Sequence, residues 1–486
     1  MWKRVKEIIL SERTYEKLYY SCTTMCPVCE SFIPGDVVKK NQGIYIARNC
    51  PQHGYLEGLI CSDVDWYESL SEYDVEPVKP RNPSNEVIHG CPEDCGLCSD
   101  HKQIAGTATI EVSNDCNAHC PTCLADNQMS FELSTNDVEP MLERLFQSQD
   151  KLDTLVISGG EPTIHPELFN IIAGARRKEI GRIVINSNGI RIAEDDKFLD
   201  ELAACGDVYV SLHFDGRKSK MLRGTDFEMQ KKALQRLSQW EINMVPLILC
   251  ANGVNDKEIG ELVPELLKDK WVKSIIMSMM TYTGSRGRGF PGDKSQRLTI
   301  PGALDGLEAG SGGLMRKSDF IPLPMPNPLC ASIGYFLPSE DGLSSLMRLT
   351  DKSRVIDYIK NANFGKVDEK LESFFKEIIN NVYAKPGQFE NGDKVLKQFK
   401  MLLQYLFPQG EELDEKSRKL RAEEKVKSVY LMQFMDSWSF DSTRLSKCSC
   451  QTLIPGGDII PSCHYYNYYR HQDDRFSKLE KIEAIS

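Results

Sequence analysis

Thirteen of the 17 cysteines in this chain fall into clusters or ligand-like contexts: Cys26, Cys29 and Cys50; Cys91, Cys95 and Cys98; Cys116, Cys120 and Cys123; Cys330; and Cys448, Cys450 and Cys463. An odd number of thiols in a long chain whose N-terminus lacks an apolar signal region points to metal ligands rather than a disulfide scaffold. The most informative set is Cys116-Asn-Ala-His-Cys120-Pro-Thr-Cys123. Three thiolates at this spacing can hold three irons of a [4Fe–4S] cube and leave the fourth open, a Lewis-acidic and redox-active position. A structural zinc loop is the competing reading, but zinc prefers CxxC pairs and four protein ligands.

Two further motifs follow at the ends of successive strand-like runs. Gly159-Gly160-Glu161-Pro162 combines two glycines, which let a ligand approach the backbone closely, with a carboxylate able to pair with an ammonium group. Asn186-Ser187-Asn188-Gly189 presents amides and a hydroxyl suited to a ribose or a carboxylate. Cys91, Cys95 and Cys98 repeat the CxxxCxxC spacing ahead of the first strand, and read as an auxiliary cluster whose fourth ligand is a distant Cys or His101; zinc held with His101 is the alternative. Cys448, Cys450 and Cys463 flank a Pro-Gly-Gly turn, and with Cys330 supply the four thiolates of a closed cluster. Cys26-Pro-Val-Cys29 and Cys50-Pro-Gln-His53 resemble a zinc or rubredoxin knuckle holding one mononuclear Fe or Zn, with Cys61 or Cys22 as substitutes for His53.

The elements that must position these groups alternate. Strand-like runs at 108–112, 154–158, 182–186, 208–212, 245–250 and 274–279 are separated by amphipathic helical stretches. Six such repeats predict an α/β fold with parallel strands and right-handed crossovers, with the chemistry at the C-terminal strand ends. Pattern alone leaves an open doubly wound sheet and a partial barrel equally placed. Around this zone at 105–300 lie an N-terminal module at 1–85, a short Cys-rich segment at 86–104, a helical region at 301–445 and a C-terminal Cys-rich segment at 446–486. A net charge of −11 without a basic run argues against nucleic acid as a partner, and no apolar run is long enough to span a bilayer. A cytoplasmic location is the expectation, with peripheral membrane contact an open option. The helix predicted over 394–407 puts Val395, Phe399, Leu402, Leu403 and Leu406 on one face, read first as core and second as a lip for an apolar substrate or a membrane surface. Glu411–Lys427 reads as a solvated helix, Cys205 and Cys250 as core, and Arg286 and Arg288 as anion ligands or solvated loop residues.

Taken together, the CxxxCxxC, GGEP and NSNG motifs on successive strands resemble the radical S-adenosylmethionine (SAM) superfamily. The resemblance implies a partial (βα)6 TIM-like barrel and SAM chelating the open iron. It implies Glu161 at the SAM amino group, Ser187 and Asn188 on the ribose side, and Ser211 and His213 at the same mouth. A narrower resemblance spans nearly the whole chain, carried by Cys91–Cys98, Leu212–Gly216, Gly253–Asp256, Pro328-Leu-Cys330 and Cys448…Cys463. It is to the family containing tetraether lipid synthase, whose homologues include radical methylases of 7,8-dihydro-6-hydroxymethylpterin. That resemblance implies auxiliary iron–sulfur clusters, two by the spare ligand sets, and an N-terminal mononuclear metal. It also implies a low-potential electron donor such as ferredoxin or flavodoxin.

Two substrates follow from it: a lipid chain undergoing C–C bond formation at unactivated carbon, taken as the first reading, and C-methylation of a reduced pterin or similar heterocycle as the alternative. By this grouping the reconstituted protein should bind about 12 iron atoms in three clusters. Changing Cys116, Cys120 and Cys123 together to Ala is expected to abolish reductive SAM cleavage and leave iron at the other sites. The check is 5′-deoxyadenosine release alongside iron analysis.

Overall fold

The computed structural model describes residues 15–126, 131–177, 179–339, 342–384, 392–473 and 475. The N-terminal module is an antiparallel meander of β1 (Lys17–Met25), β2 (Phe32–Lys40), β3 (Gly43–Cys50) and β4 (Gly54–Cys61). Its β1–β2 and β3–β4 turns fall at the same end and carry the two halves of the predicted knuckle. The sheet is clamped to the C-terminal region: Thr24 Oγ1 donates to the Phe440 carbonyl at 2.6 Å, and the buried Arg48 donates through Nη2 to the Trp438 carbonyl at 3.0 Å.

All six strand-like runs become strands. They are β5 (Thr107–Ser113), β6 (Leu152–Gly159), β7 (Ile180–Ser187), β8 (Tyr209–Leu212), β10 (Leu247–Cys250) and β11 (Ser274–Met279), with the two-residue β9 (Asn243–Met244) inserted after β8. Neighbours β5 to β9 pair in parallel, as do β10 and β11; single bridges from His213 to Leu247 and from Met244 to Val272 carry the order across between them. Strands covered on both faces need near-continuous apolar runs, and all of β8 is buried. The intervening helices Thr135–Ser148, Leu168–Ala175, Asp196–Ala204 and Phe227–Gln239 cover the outside with Leu142, Leu145, Ile172, Leu199 and Leu237. The first of them starts where Ser134 and Asp137 exchange hydrogen bonds in a capping box.

The C-terminal half is built into the same sheets. After the hairpin strands β12 (Ile321–Pro322), β13 (Ala331–Ser339) and β14 (Gly342–Ser345), β15 (Lys427–Met432) pairs in parallel with β11 and antiparallel with β13. At the other edge β16 (Cys450–Leu453) pairs in parallel with β5, and β17 (Ile459–Pro461) folds back on it.

One expectation is corrected here, and the first reading of another, as core, is borne out. The charged run ending at Lys427 is not simply solvated: its helix, Glu415–Lys425, turns Glu423 inward, where the carboxylate accepts from Arg182 at 2.6 Å and from the Tyr209 hydroxyl at 2.6 Å. Lys427 itself is buried as the first residue of β15. The second concerns the helix Gly392–Leu406. Val395, Phe399, Leu402 and Leu406 are buried in one core with Phe375, Ile378 and Val382 of the helix Glu369–Ala384, and Leu403 packs beside them. The apolar face is interior packing and leaves no lip for lipid. Among the described residues no helix is long and apolar enough to cross a membrane. Leu402→Asp should therefore cost on the order of 3–5 kcal/mol, since it buries an unpaired carboxylate. A lowered melting temperature by circular dichroism, with loss of folded protein, is the expected reading.

Candidate active site and metal centres

The loop leaving β5 carries Cys116, Cys120 and Cys123, and all three line one cavity of about 350 Å³, within the range of about 300–1,000 Å³ usual for ligand sites. Burial pushes the Cys116 thiol up to about 12, with Glu161, Cys120 and Cys123 adding to the rise. Cys120 is likewise raised by burial, and Arg223 pulls it back. Alternate residues of β5, β6, β7, β10, β11 and β15 line the same cavity, so the strands wrap around it. Gly159, Gly160, Glu161, Asn186, Asn188, Ser211 and His213 are on its wall at the cysteine end; Pro162 and Ser187 are not.

The two glycines act on the protein's own backbone. Gly159 has φ of +127°, and a Cβ there would overlap the Ser113 carbonyl; one on Gly160 would overlap the carbonyl of Asp115. This closeness lets Gly160 N donate to Ser113 O and Glu161 N to Asp115 O, both at 2.7 Å, strapping the root of the cysteine loop to the end of β6. Glu161 is buried and already well supplied. Its Oε1 accepts from Ser187 Oγ at 2.8 Å, Thr163 Oγ1 at 2.6 Å and Thr163 N at 3.1 Å, and its Oε2 from Asn188 N at 2.7 Å. Burial raises its pKa while these donors oppose the rise. Ser187, expected on the ribose side, thus serves as a brace behind the wall. Asn188 reaches forward, donating from Nδ2 to Asn117 Oδ1 at 2.8 Å, inside the cysteine loop.

Two buried polar atoms on the wall, Asn186 Oδ1 and His213 Nδ1, have no hydrogen-bond partner among the described residues. Burial, reinforced by Arg223, holds the His213 pKa well below the imidazole range, so the ring is neutral. Hydrogen-bonding groups left open beside three thiols fit a bound nucleoside. Sequence reasoning missed Arg223. It lines the cavity beside Cys120 and Cys123, and its Nε donates to Asp215 Oδ2 at 3.0 Å, in the LHFDG motif. Asp215 Oδ1 accepts from Leu249 N at 2.6 Å, and Asn255 of the GVND motif ties the Asp215 and Leu249 carbonyls together. Both motifs are therefore the mount of one cation; a buried Asp eight residues before an Arg was the available signal. At the far end of the cavity Arg182 lies over the Phe364 ring, 4.2 Å from its centroid, and separates it from a second cavity of about 110 Å³.

Of the anion-binding candidates, Arg288 pairs with Glu30 of the N-terminal module, and neither it nor Arg286 lines the cavity. Cys250 is core as expected, and Cys205 packs at its margin.

Cys450 and Cys463 face the same cavity as the loop thiols. Cys448, raised well above its ordinary value by burial, lies within electrostatic reach of Cys463, Cys450 and Cys330. Cys91, Cys95 and Cys98 gather beside them, with Cys95 within electrostatic reach of Cys448. His101 is not a ligand to this set: its Nε2 is 3.0 Å from the Cys448 carbonyl and 3.0 Å from Gln451 Nε2, and burial lowers its pKa to about 4.

At the N-terminal module Cys26, Cys29, Cys50 and His53 converge, all four ligand atoms within 4.8 Å of one another. Cys29 and Cys50 Sγ are 3.8 Å apart. Two thiolates each about 2.3 Å from a tetrahedral zinc would be separated by about 3.8 Å. His53 Nδ1 stands 3.4 Å from Cys50 Sγ and 3.6 Å from Cys26 Sγ. Cys61 is core and Cys22 lies beside Asp441, so neither replaces His53. Among the described residues no other His, Cys, Asp or Glu group converges this tightly. Cluster thiolates, each on its own iron, stand farther apart than four ligands on one ion.

Gly160→Ala should force the β5 loop away from β6, because the obstacle is backbone. The expected result is loss of about one cluster's iron, about four atoms per chain, with the knuckle metal retained; iron and zinc analysis of the purified variant checks it.

The radical SAM superfamily profile matches residues 85–266, and the HMPTM N-terminal zinc ribbon domain matches 18–62. The chain is 26% identical to the 7,8-dihydro-6-hydroxymethylpterin dimethyltransferase of Methanocaldococcus jannaschii over 93% of this chain and 95% of that protein. It is 31% identical to a mycofactocin maturase of Mycobacterium tuberculosis over 27% of this chain and 34% of that one. Among solved structures, Streptococcus suis SuiB bound to its precursor peptide aligns with a TM-score of 0.36 at 17% identity, covering 44% of this chain and 46% of that one. The three-thiol loop and the GGEP turn strapped to it both lie inside the 85–266 segment that matches the radical SAM superfamily.

Proposed function

We propose that this enzyme methylates a carbon of a reduced pterin or a similar small heterocycle, in a partial (βα)6 barrel whose interior is the cavity described above. The observation that carries the reading is that two thiolate sets, Cys116/Cys120/Cys123 and Cys450/Cys463 with their neighbours, face one cavity of ligand size. The likeness to a pterin dimethyltransferase along nearly the whole chain supports this substrate class over a lipid. The 394–407 face, which would have served a lipid, is closed core.

The first set fits a [4Fe–4S] cluster with an open iron, and the other two sets fit auxiliary clusters. When bound there, SAM supplies a 5′-deoxyadenosyl radical on one-electron reduction, and the protein's part is to hold and shield it. Arg223, pre-oriented by Asp215, is placed to receive the SAM carboxylate. Neutral His213 and Asn186 offer hydrogen bonds to the adenosyl end, and Glu161 keeps Asn188 and the cysteine loop in register with them. Electrons come from a low-potential donor of the ferredoxin or flavodoxin type. The Cys26/Cys29/Cys50/His53 site holds zinc as a structural ion.

A second reading, C–C bond formation on a lipid chain, is favoured by one feature. The cavity is lined from Thr107 at the start of β5 to Cys116 in the loop beyond it, and the strand alone spans about 20 Å at about 3.3 Å per residue.

The test is anaerobic incubation of reconstituted enzyme with methyl-deuterated SAM, dithionite and 7,8-dihydro-6-hydroxymethylpterin. Release of 5′-deoxyadenosine with label in the pterin is expected. Deuterium passing from labelled lipid chains into 5′-deoxyadenosine, with none entering pterin, would overturn the methylation reading in favour of the second.

A further inference from the structure

Arg444 is an arginine in an unusual position. It sits in the short helix Ser442–Ser446 and is 1% exposed. Its Nη2 donates to the Gln433 carbonyl at 2.9 Å and lies 3.4 Å from Cys330 Sγ. Its Nε and Nη1 are buried with no hydrogen-bond partner among the described residues. A buried guanidinium with two idle N–H groups is costly unless something accepts from them. The groups it faces are thiols: Cys330 and, within electrostatic reach, Cys463. Gln433 fixes its place, since the Gln433 N donates to the Cys330 carbonyl at 2.8 Å and Nε2 to the Ile60 carbonyl at 2.7 Å.

The neighbouring set is different. The charges acting on Cys91 are Asp100 and Asp441, opposed by Lys102. Those acting on Cys448, Cys450 and Cys463 are the other thiols of the set and Arg444. Asp441 also lies near Arg444, but its carboxylate accepts from Tyr20 at 2.7 Å and from Thr443.

We propose that Arg444 donates hydrogen bonds to the auxiliary cluster held by Cys330, Cys448, Cys450 and Cys463, and raises its reduction potential above that of the cluster at Cys91, Cys95 and Cys98. This rests on the reading that both sets hold [4Fe–4S] clusters. Hydrogen bonds to cluster sulfur and a nearby positive charge favour the form that has gained an electron. The two sets are adjacent, and only the arginine-bearing one faces the cavity. The resulting slope carries a single electron from the outer set toward the substrate chamber. Arg444 is thus a positioning and tuning residue; it touches no substrate.

The experiment uses the full chain carrying Cys116→Ala, Cys120→Ala and Cys123→Ala, so that only auxiliary clusters report. After anaerobic reconstitution, iron is counted and both clusters are titrated potentiometrically with dithionite and followed by electron paramagnetic resonance. This starting chain should hold about eight cluster irons; a clear shortfall overturns the cluster reading itself and the proposal with it. In Arg444→Met one cluster should become harder to reduce, its reduced-to-oxidised ratio at fixed poise falling about tenfold, which is about 59 mV for one electron. The other cluster should not move. Arg444→Lys, which keeps charge but not the planar fork, should fall between and decides the matter if Arg444→Met does not load iron. Unshifted potentials in loaded variants overturn the proposal, as does loss of one cluster from both, which would make the arginine purely structural.

Discussion

Everything at the catalytic end hangs on one buried carboxylate. Glu161 takes hydrogen bonds from the 161–163 turn, from Ser187 and from Asn188, so the ends of β6 and β7 are joined through its two oxygens. Through its own N–H it holds Asp115, and through Asn188 it reaches Asn117, so the cysteine loop is gripped at its root and at its first thiol. In a low-dielectric interior such bonds are strong, and leaving any donor unmet is costly. A loop that must present three thiols to one cube needs that stiffness, because loops have little of their own.

The same economy explains the motifs farther along. LHFDG and GVND lie far apart in sequence, yet their Asp215 and Asn255 act on the same two backbone segments to aim Arg223. Neither side chain needs to meet a ligand to matter. The residues that face the cavity are fewer than the residues that decide where those few point.

Much of this was legible beforehand. Alternating apolar strands and helices located all six parallel strands, because burial on both faces leaves an unmistakable run such as VYVSL. Metal-ligand spacing located the N-terminal knuckle, whose four ligand atoms converge, because one ion constrains sequence separation when ligands share a hairpin. What could not be read was contact between distant segments. Nothing in ATIEV announces that its outer edge belongs to CQTL, nor in a Lys- and Glu-rich helix that Glu423 turns in to meet Arg182. Ser187 looked like a ligand-binding hydroxyl because the pattern supplies the residue type and not the direction of its side chain. His101 looked like a ligand for the same reason, but its Nε2 faces the Cys448 carbonyl at 3.0 Å.

The pairing of β16 with β5 has a consequence for how the chain comes off the ribosome. β5 is the first strand of its sheet in chain order, and its outer neighbour β16 starts only at Cys450. At about 5–20 residues per second, the edge of β5 stays open for tens of seconds. An unpaired edge of this kind is a template for wrong partners. Closure of this sheet is therefore ordered in time by its topology, with the later-made β16 sealing the edge of β5.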